Sequence, residues 1–288
     1  MHNRVYRAAA IHDLSGFGRC SLAVIIPVLS AMGVQVCPVP TAVLSAHTGG
    51  LGEVEFRDLT DYLAPALAHY RRLELEFDCI YSGFLGSVDQ IDHCLEFIAA
   101  WPQALAVVDP VMGDHGKAYQ TYTPEMIRRM GELVAAADVI TPNLTEACML
   151  LGEPYRHQPL TRMEAKSMLA RLSELGPDYV VITGVPVASL PGVANLGYDR
   201  EKNAYWCSVS DYIPVSYPGT GDIFASVLTG AMLGGDSLPI AVSRATSFVQ
   251  LAIKTTFSYG SDPRYGVMLE RVLGWLHASE TPMNYQLL

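Results

Sequence analysis

Pro218-Gly219-Thr220-Gly221-Asp222 runs directly into Ile223-Phe224-Ala225-Ser226-Val227-Leu228. Two glycines and a threonine open an apolar helix, and a carboxylate stands in its first turn. A helix start presents unpaired backbone N–H groups and the positive end of the helix dipole. Glycine lets the backbone approach an anion closely, so this turn is an anion site. A carboxylate would repel a resident anion. It has a purpose if the anion is a phosphoryl group in transit and Asp222 takes the proton of the attacking hydroxyl. A simple capping aspartate in a glycine turn is the alternative, and the rest of the chain bears on the choice.

Upstream of this turn, strand-like and helix-like segments alternate. Short apolar runs occupy residues 5–11, 34–39, 79–81, 105–108, 139–141 and 179–183. Helical spacing fills residues 22–32, 60–73, 91–99, 124–136 and 161–175. Thr123 is placed to cap the fourth of these with Pro124 at its first position, and Thr161 with Glu164 reads as a capping box. Such alternation predicts an α/β fold, a mostly parallel central sheet with helices on both faces. It breaks between Gly184 and Gly219. There, apolar residues 194–198 and 204–209 flank the polar turn Asp199-Arg200-Glu201-Lys202-Asn203, which predicts an inserted β-hairpin. Helical patterns resume at 239–255 and 267–278. With no internal repeat or linker, residues 1–280 read as one domain and 281–288 as a tail without a regular element.

Half of the 288 residues are hydrophobic, and the formal net charge is −10. That balance argues against a nucleic-acid surface and against charge-driven binding to an anionic membrane. It leaves room for a nucleotide whose phosphates are neutralised locally. Cys20, Cys37, Cys79, Cys94, Cys148 and Cys207 show no CxxC spacing and read as buried, reduced thiols. The N-terminal Met1-His2-Asn3-Arg4 lacks a signal-peptide pattern, and no apolar stretch is long enough for a membrane span. A soluble, cytoplasmic protein is expected.

Open parallel sheets bind ligands beyond the carboxyl ends of their strands, so polar residues just after each strand are candidates. Asp109-Pro110-Val111-Met112-Gly113-Asp114 places two hard oxygen donors at a strand end, which suits Mg²⁺ shared with phosphates or, equally, a turn stabilised by aspartate. Thr141-Pro142-Asn143-Leu144-Thr145-Glu146 again joins strand to helix. Glu146 there either complements the helix dipole or turns toward a metal and its waters. Gly16-Phe17-Gly18-Arg19-Cys20-Ser21 approximates a dinucleotide fingerprint, but no acidic residue closes the second strand. Gly113-Asp114-His115-Gly116-Lys117 lacks the spacing of a P-loop. The eight histidines show no metal-binding spacing.

Taken together, these residues resemble the ribokinase-like kinases, and within them the pyridoxal kinase branch. The Gly-Thr-Gly-Asp turn carries the superfamily resemblance. Ile11-His12-Asp13 with Gly16, Ser45-Ala46-His47-Thr48-Gly49 and Ser82-Gly83-Phe84-Leu85-Gly86-Ser87 point to the branch. The resemblance implies a three-layer sandwich and transfer of phosphate from ATP to the 5′-hydroxymethyl of pyridoxal, pyridoxine or pyridoxamine. It implies Asp222 as the base and Gly219, Thr220 and Gly221 as the anion hole. Asp109 and Glu146 fall around Mg²⁺ and the ATP phosphates, with Asp114 a further candidate for the metal. Thr141, Thr183 and Tyr122 fall near the nucleotide. Asp13, Ser15, Thr48 and Phe84 fall on the vitamer side, where many relatives carry serine in place of Asp13 and several carry tyrosine in place of Phe84. A homodimer and a response to K⁺ are implied too. A hydroxymethylpyrimidine kinase and a non-catalytic binding protein on the same fold are the rival readings.

Overall fold

The computed structural model describes residues 4–277 and 284–288. The chain begins with β1 (Tyr6–Ser15), α1 (Leu22–Ala31), β2 (Val34–Leu44) and β3 (Phe56–Asp58). It continues through α2 (Thr60–Arg72), β4 (Cys79–Ser82), α3 (Val88–Ala100) and β5 (Leu105–Val108). A tight hairpin, β6 (Gly113–Asp114) and β7 (Lys117–Ala118), precedes α4 (Pro124–Ala135), β8 (Val139–Ile140), α5 (Leu144–Leu150) and α6 (Arg162–Glu174). Then come β9 (Tyr179–Val185), β10 (Val193–Asp199), β11 (Ala204–Ser210), α7 (Thr220–Leu233), α8 (Leu238–Ser258) and β12 (Tyr285–Leu287).

Ten strands form one sheet in the order β12-β11-β10-β9-β8-β5-β4-β1-β2-β3. The run from β9 to β2 is parallel. The flanking strands β10, β11, β12 and β3 are antiparallel. Helices α2 to α6 cover one face, with Leu63, Phe97, Met130 and Leu172 buried against the sheet. Helices α1, α7 and α8 cover the other, with Ile25, Phe224 and Phe248. This is the ribokinase-like three-layer sandwich, with the expected hairpin as β10–β11.

The sequence cues work locally as physics requires. Thr123 accepts a hydrogen bond from the Met126 N–H, and Thr161 and Glu164 form a reciprocal capping box. At the sheet centre, Ala8, Ala9 and Ala10 are fully buried, and their small side chains let helices pack closely on both faces. Four regions depart from expectation. Residues 267–277 fold into short 3-10 turns, Leu269–Arg271 and Leu273–His277, rather than one helix; Ala278 lies outside the described residues. The tail was read as lacking a regular element, yet Tyr285–Leu287 pairs with β11 and closes that edge of the sheet; residues 278–283 lie outside the description. The short edge strand β3 and the β6–β7 hairpin carry too few residues for an alternation to register.

Candidate active site

A cleft of about 720 Å³ opens along the carboxyl ends of β1, β5, β8 and β9 and the N-terminus of α7. It brings together every expected site residue except Tyr122. Among the described residues no lysine or arginine lines it, whereas Asp13, Asp109, Asp114, Glu146 and Asp222 do.

Gly219 is the N-cap of α7, with φ 81°, and no side chain caps the first turn. A Cβ on Gly219 would lie 2.0 Å from the Arg19 carbonyl oxygen, so only glycine fits both the left-handed backbone and the close approach. A Cβ on Gly221 would meet nothing, because Gly221 borders open cleft. Asp222 is the third residue of the helix. Its Oδ2 accepts the Ser21 N–H at 2.7 Å. Ser21 presents that N–H from φ 56° and ψ −144°, a conformation that costs a non-glycine residue about 1–3 kcal/mol. Such strain persists only where surrounding contacts impose it. Oδ1 of Asp222 lies 3.2 Å from His12 Nε2, off the hydrogen-bond direction.

His12 and Asp13 are the last two residues of the continuous buried run of β1. Its Nδ1 is 2.8 Å from Asp13 Oδ1, and Asp13 Oδ2 accepts the Ser15 hydroxyl at 2.9 Å. Burial alone would lower the imidazole pKa. Hydrogen bonds and charge from Asp13 and Asp222 outweigh it and push the pKa up to about 10. Burial raises the Asp13 carboxyl, yet bonds from His12, Ser21 and Ser15 prevail and hold it below its usual range.

At the other end of the cleft, Asp109 accepts the Thr141 hydroxyl at 3.0 Å. Burial first, then the charge of Asp222, push the Asp109 carboxyl up to about 7. Glu146 completes a capping box with Asn143 and accepts the Met112 N–H at 3.1 Å. It therefore ties the Asp109–Asp114 loop to the start of α5. Burial and neighbouring Asp109 raise its carboxyl well above the ordinary range. Asp114 is exposed and accepts the His115 N–H. Thr183 is inside β9 and donates its N–H to Pro142 O at 2.9 Å. Gly184, with φ 66°, follows at the rim.

Phe84 follows β4 on the alcohol side, its carbonyl held by the Thr41 hydroxyl at 3.1 Å. Thr48 is exposed on a glycine-rich flap anchored by His47, whose Nε2 is 2.6 Å from Arg264 O and whose Nδ1 accepts the Gly49 N–H. Tyr122 departs from its expected place. It is buried in the core, edge-on to Phe84, and its hydroxyl points at the Leu85 N–H. Tyr119, three residues earlier, lines the cleft instead.

Residues 26–266 match the family described as phosphomethylpyrimidine kinase. The chain belongs to that family. A Bacteroides thetaiotaomicron protein provisionally named a phosphomethylpyrimidine kinase, crystallised with pyridoxal, is 48% identical and superposes with a TM-score of 0.94. That match covers 99% of this chain and 100% of the other. Pyridoxal kinase from Lactobacillus plantarum is 33% identical with a TM-score of 0.86, covering 94% and 96%. Pyridoxal kinase PdxY of Corynebacterium diphtheriae is 30% identical over 81% of this chain and 83% of its own. Among the described residues no helix is long and apolar enough to cross a membrane.

Sequence reasoning on this family member passed over His12 and Ser21. Alternation along β1 could have flagged the first. Ala8, Ala10 and His12 share one face, the one covered by the layer of α1, α7 and α8.

Proposed function

We propose that this protein transfers the γ-phosphoryl group of ATP to the hydroxymethyl group of a vitamin B6 vitamer. One observation carries the reading: a single carboxylate, Asp222, stands in an uncapped first helical turn at the meeting point of the cleft's two ends. The relatives that are named pyridoxal kinase, and the one that holds pyridoxal, support the choice of alcohol.

In this scheme the alcohol oxygen attacks γ-phosphorus, the bond to the β–γ bridging oxygen breaks, and ADP leaves. Asp222 takes the hydroxyl proton. The N–H groups at Gly219, Thr220 and Gly221 receive the equatorial oxygens of the moving group. Thr141 and Thr183 position the nucleotide phosphates. Asp13, Ser15, Thr48 and Phe84 bound the vitamer, with Phe84 offering a stacking face.

Among the described residues no lysine or arginine lines the cleft to offset the nucleotide's charge, and no three metal-ligating side chains converge. The donor set fits Mg²⁺ completed by waters and phosphates. Asp109 has an oxygen free for it. Glu146, with both oxygens engaged by N–H groups, would hold it through water. Bound there, the ion would supply charge neutralisation to the phosphates.

The family description favours a second reading, transfer to a pyrimidine, either a hydroxymethylpyrimidine or a phosphomethylpyrimidine. Initial rates with ATP and Mg²⁺ across pyridoxal, pyridoxine, pyridoxamine, hydroxymethylpyrimidine and phosphomethylpyrimidine separate the two. A B6 vitamer is expected to give the highest kcat/KM. A pyrimidine preference replaces the acceptor, and no transfer to any of the five overturns the kinase reading.

A further inference from the structure

His12 has no part in the reaction scheme above, yet its surroundings are built around it. The imidazole is 2% exposed. A Cβ on Gly83 would lie 2.0 Å from its Cδ2 and 2.2 Å from its Nε2, so the ring occupies a slot that exists because residue 83 is glycine. Both ring nitrogens face carboxylates of the cleft: Nδ1 lies 2.8 Å from Asp13 Oδ1, with the Asp13 N–H also on it at 2.9 Å, and Nε2 faces Asp222 Oδ1 at 3.2 Å. A histidine kept only to fill the core would find neutral partners.

We propose that His12 is a positioning residue that aims the Asp222 carboxylate at the alcohol and, through its other nitrogen, ties that aim to Asp13 on the vitamer side. The proposal rests on the phosphoryl-transfer reading. Ser21 fixes one oxygen of Asp222 and leaves the carboxylate free to turn about that anchor. A second donor, on the other oxygen, removes the freedom and leaves the remaining lone pairs toward the cleft. Nε2 has no aligned acceptor in this conformation. An unsatisfied buried donor is unfavourable, so a small turn of Asp222 onto it is favoured. The raised pKa of the imidazole agrees with a ring held between two carboxylates.

Three variants test this with whichever alcohol the wild type phosphorylates. His12→Ala is expected to lower kcat about 100-fold, the scale of a catalytic group misplaced by an ångström, with the KM for ATP within about threefold. The amide nitrogen of glutamine overlays Nε2 and that of asparagine overlays Nδ1. His12→Gln is therefore expected to recover roughly tenfold of the loss, and His12→Asn to recover none. Adding His12→Gln to Asp222→Ala should leave the residual rate unchanged, because the effect runs through Asp222. Melting temperatures monitor the fold, and if His12→Ala does not fold, the Gln–Asn difference decides alone. His12→Ala within threefold of wild-type kcat, or equal recovery by Gln and Asn, overturns the inference while leaving the kinase reading intact. Absence of transfer by the wild type overturns both.

Discussion

The two ends of the cleft handle negative charge in opposite ways. At the end we propose for the alcohol, Asp13 is matched by His12 and Ser15, and Asp222 by Ser21 and His12. At the end we propose for the nucleotide, among the described residues Asp109 has a single hydroxyl, from Thr141, and Glu146 accepts from backbone N–H groups. The consequence shows in the acid–base behaviour. Asp13 is held below its ordinary range, whereas Asp109 is pushed up to about 7 and Glu146 well above its usual value. One end carries its own counter-charge, while the other, in the reaction we propose, receives it as a cation that comes with the substrate.

The largest effects should break that contrast at its centre. Asp222→Ala is expected to lower kcat by about 10³-fold or more while nucleotide affinity survives, the mark of a group that acts in the transition state. Pre-steady-state transfer and ATP-analogue titration check the two halves. A change confined to KM would remove Asp222 from the chemistry. At the nucleotide end, chelating divalent cations should abolish transfer, and Mg²⁺ should restore it. Asp109→Asn should raise the Mg²⁺ concentration at half-maximal rate by roughly 10–100-fold, the range seen when groups that hold or orient a metal are lost. An unchanged Mg²⁺ dependence would show that this end is not where the ion sits.

Exchanging the counter-charge at the alcohol end should have a smaller effect. Asp13 is already engaged at both oxygens, so its charge on the vitamer is partly spent within the protein. Asp13→Ser is expected to shift the ranking of pyridoxamine against pyridoxal by about 5–10-fold in kcat/KM, within the ~1–3 kcal/mol of one hydrogen bond to a charged group. Rates for the three vitamers in both proteins measure it. An unchanged order places recognition of the ring elsewhere.

How much of this could be read from the sequence followed from how far apart the interacting parts lie. The Gly219–Asp222 turn and the Thr123 and Thr161 caps are local, and each is complete within about five residues. Asp109 and Thr141 were accessible because a parallel sheet delivers successive strand ends to one edge, whatever the details of packing. The pairing of His12 with Asp222 spans the chain and depends on α7 seating over β1, which no local pattern encodes. Tyr122 failed for the opposite reason. The turn from Tyr119 to Tyr122, closed by the Tyr122 N–H on Tyr119 O, sends one ring to the cleft and the other to the core. Residues 267–277 have helical spacing, but Gly266 adopts φ 75° against Arg19, and the segment follows that contact rather than its periodicity.

The smallest effect tests whether the alcohol end's counter-charge is a proton held by His12. Below the ordinary histidine pKa of 6.5, folded and unfolded chains both carry that proton, and the contribution is fully present. Between 6.5 and about 10 only the folded protein keeps it, so stability falls as pH rises through that window. Asp109 acts in a separate window. Its folded pKa of about 7 exceeds the unfolded 3.8, so its share is lost as pH rises between those values, the last of it just above neutrality. Between pH 7 and 9 the buried thiols and Glu146 contribute as well, but they are common to wild type and His12→Gln, so the difference between the two ligand-free melting curves isolates the imidazole. Wild type is expected to lose about 1 kcal/mol more than His12→Gln across that range, a difference of roughly 2–4 °C for a chain of this size. Parallel curves for the two proteins would mean that His12 is neutral when folded, and the alcohol end would then need a counter-ion as the nucleotide end does.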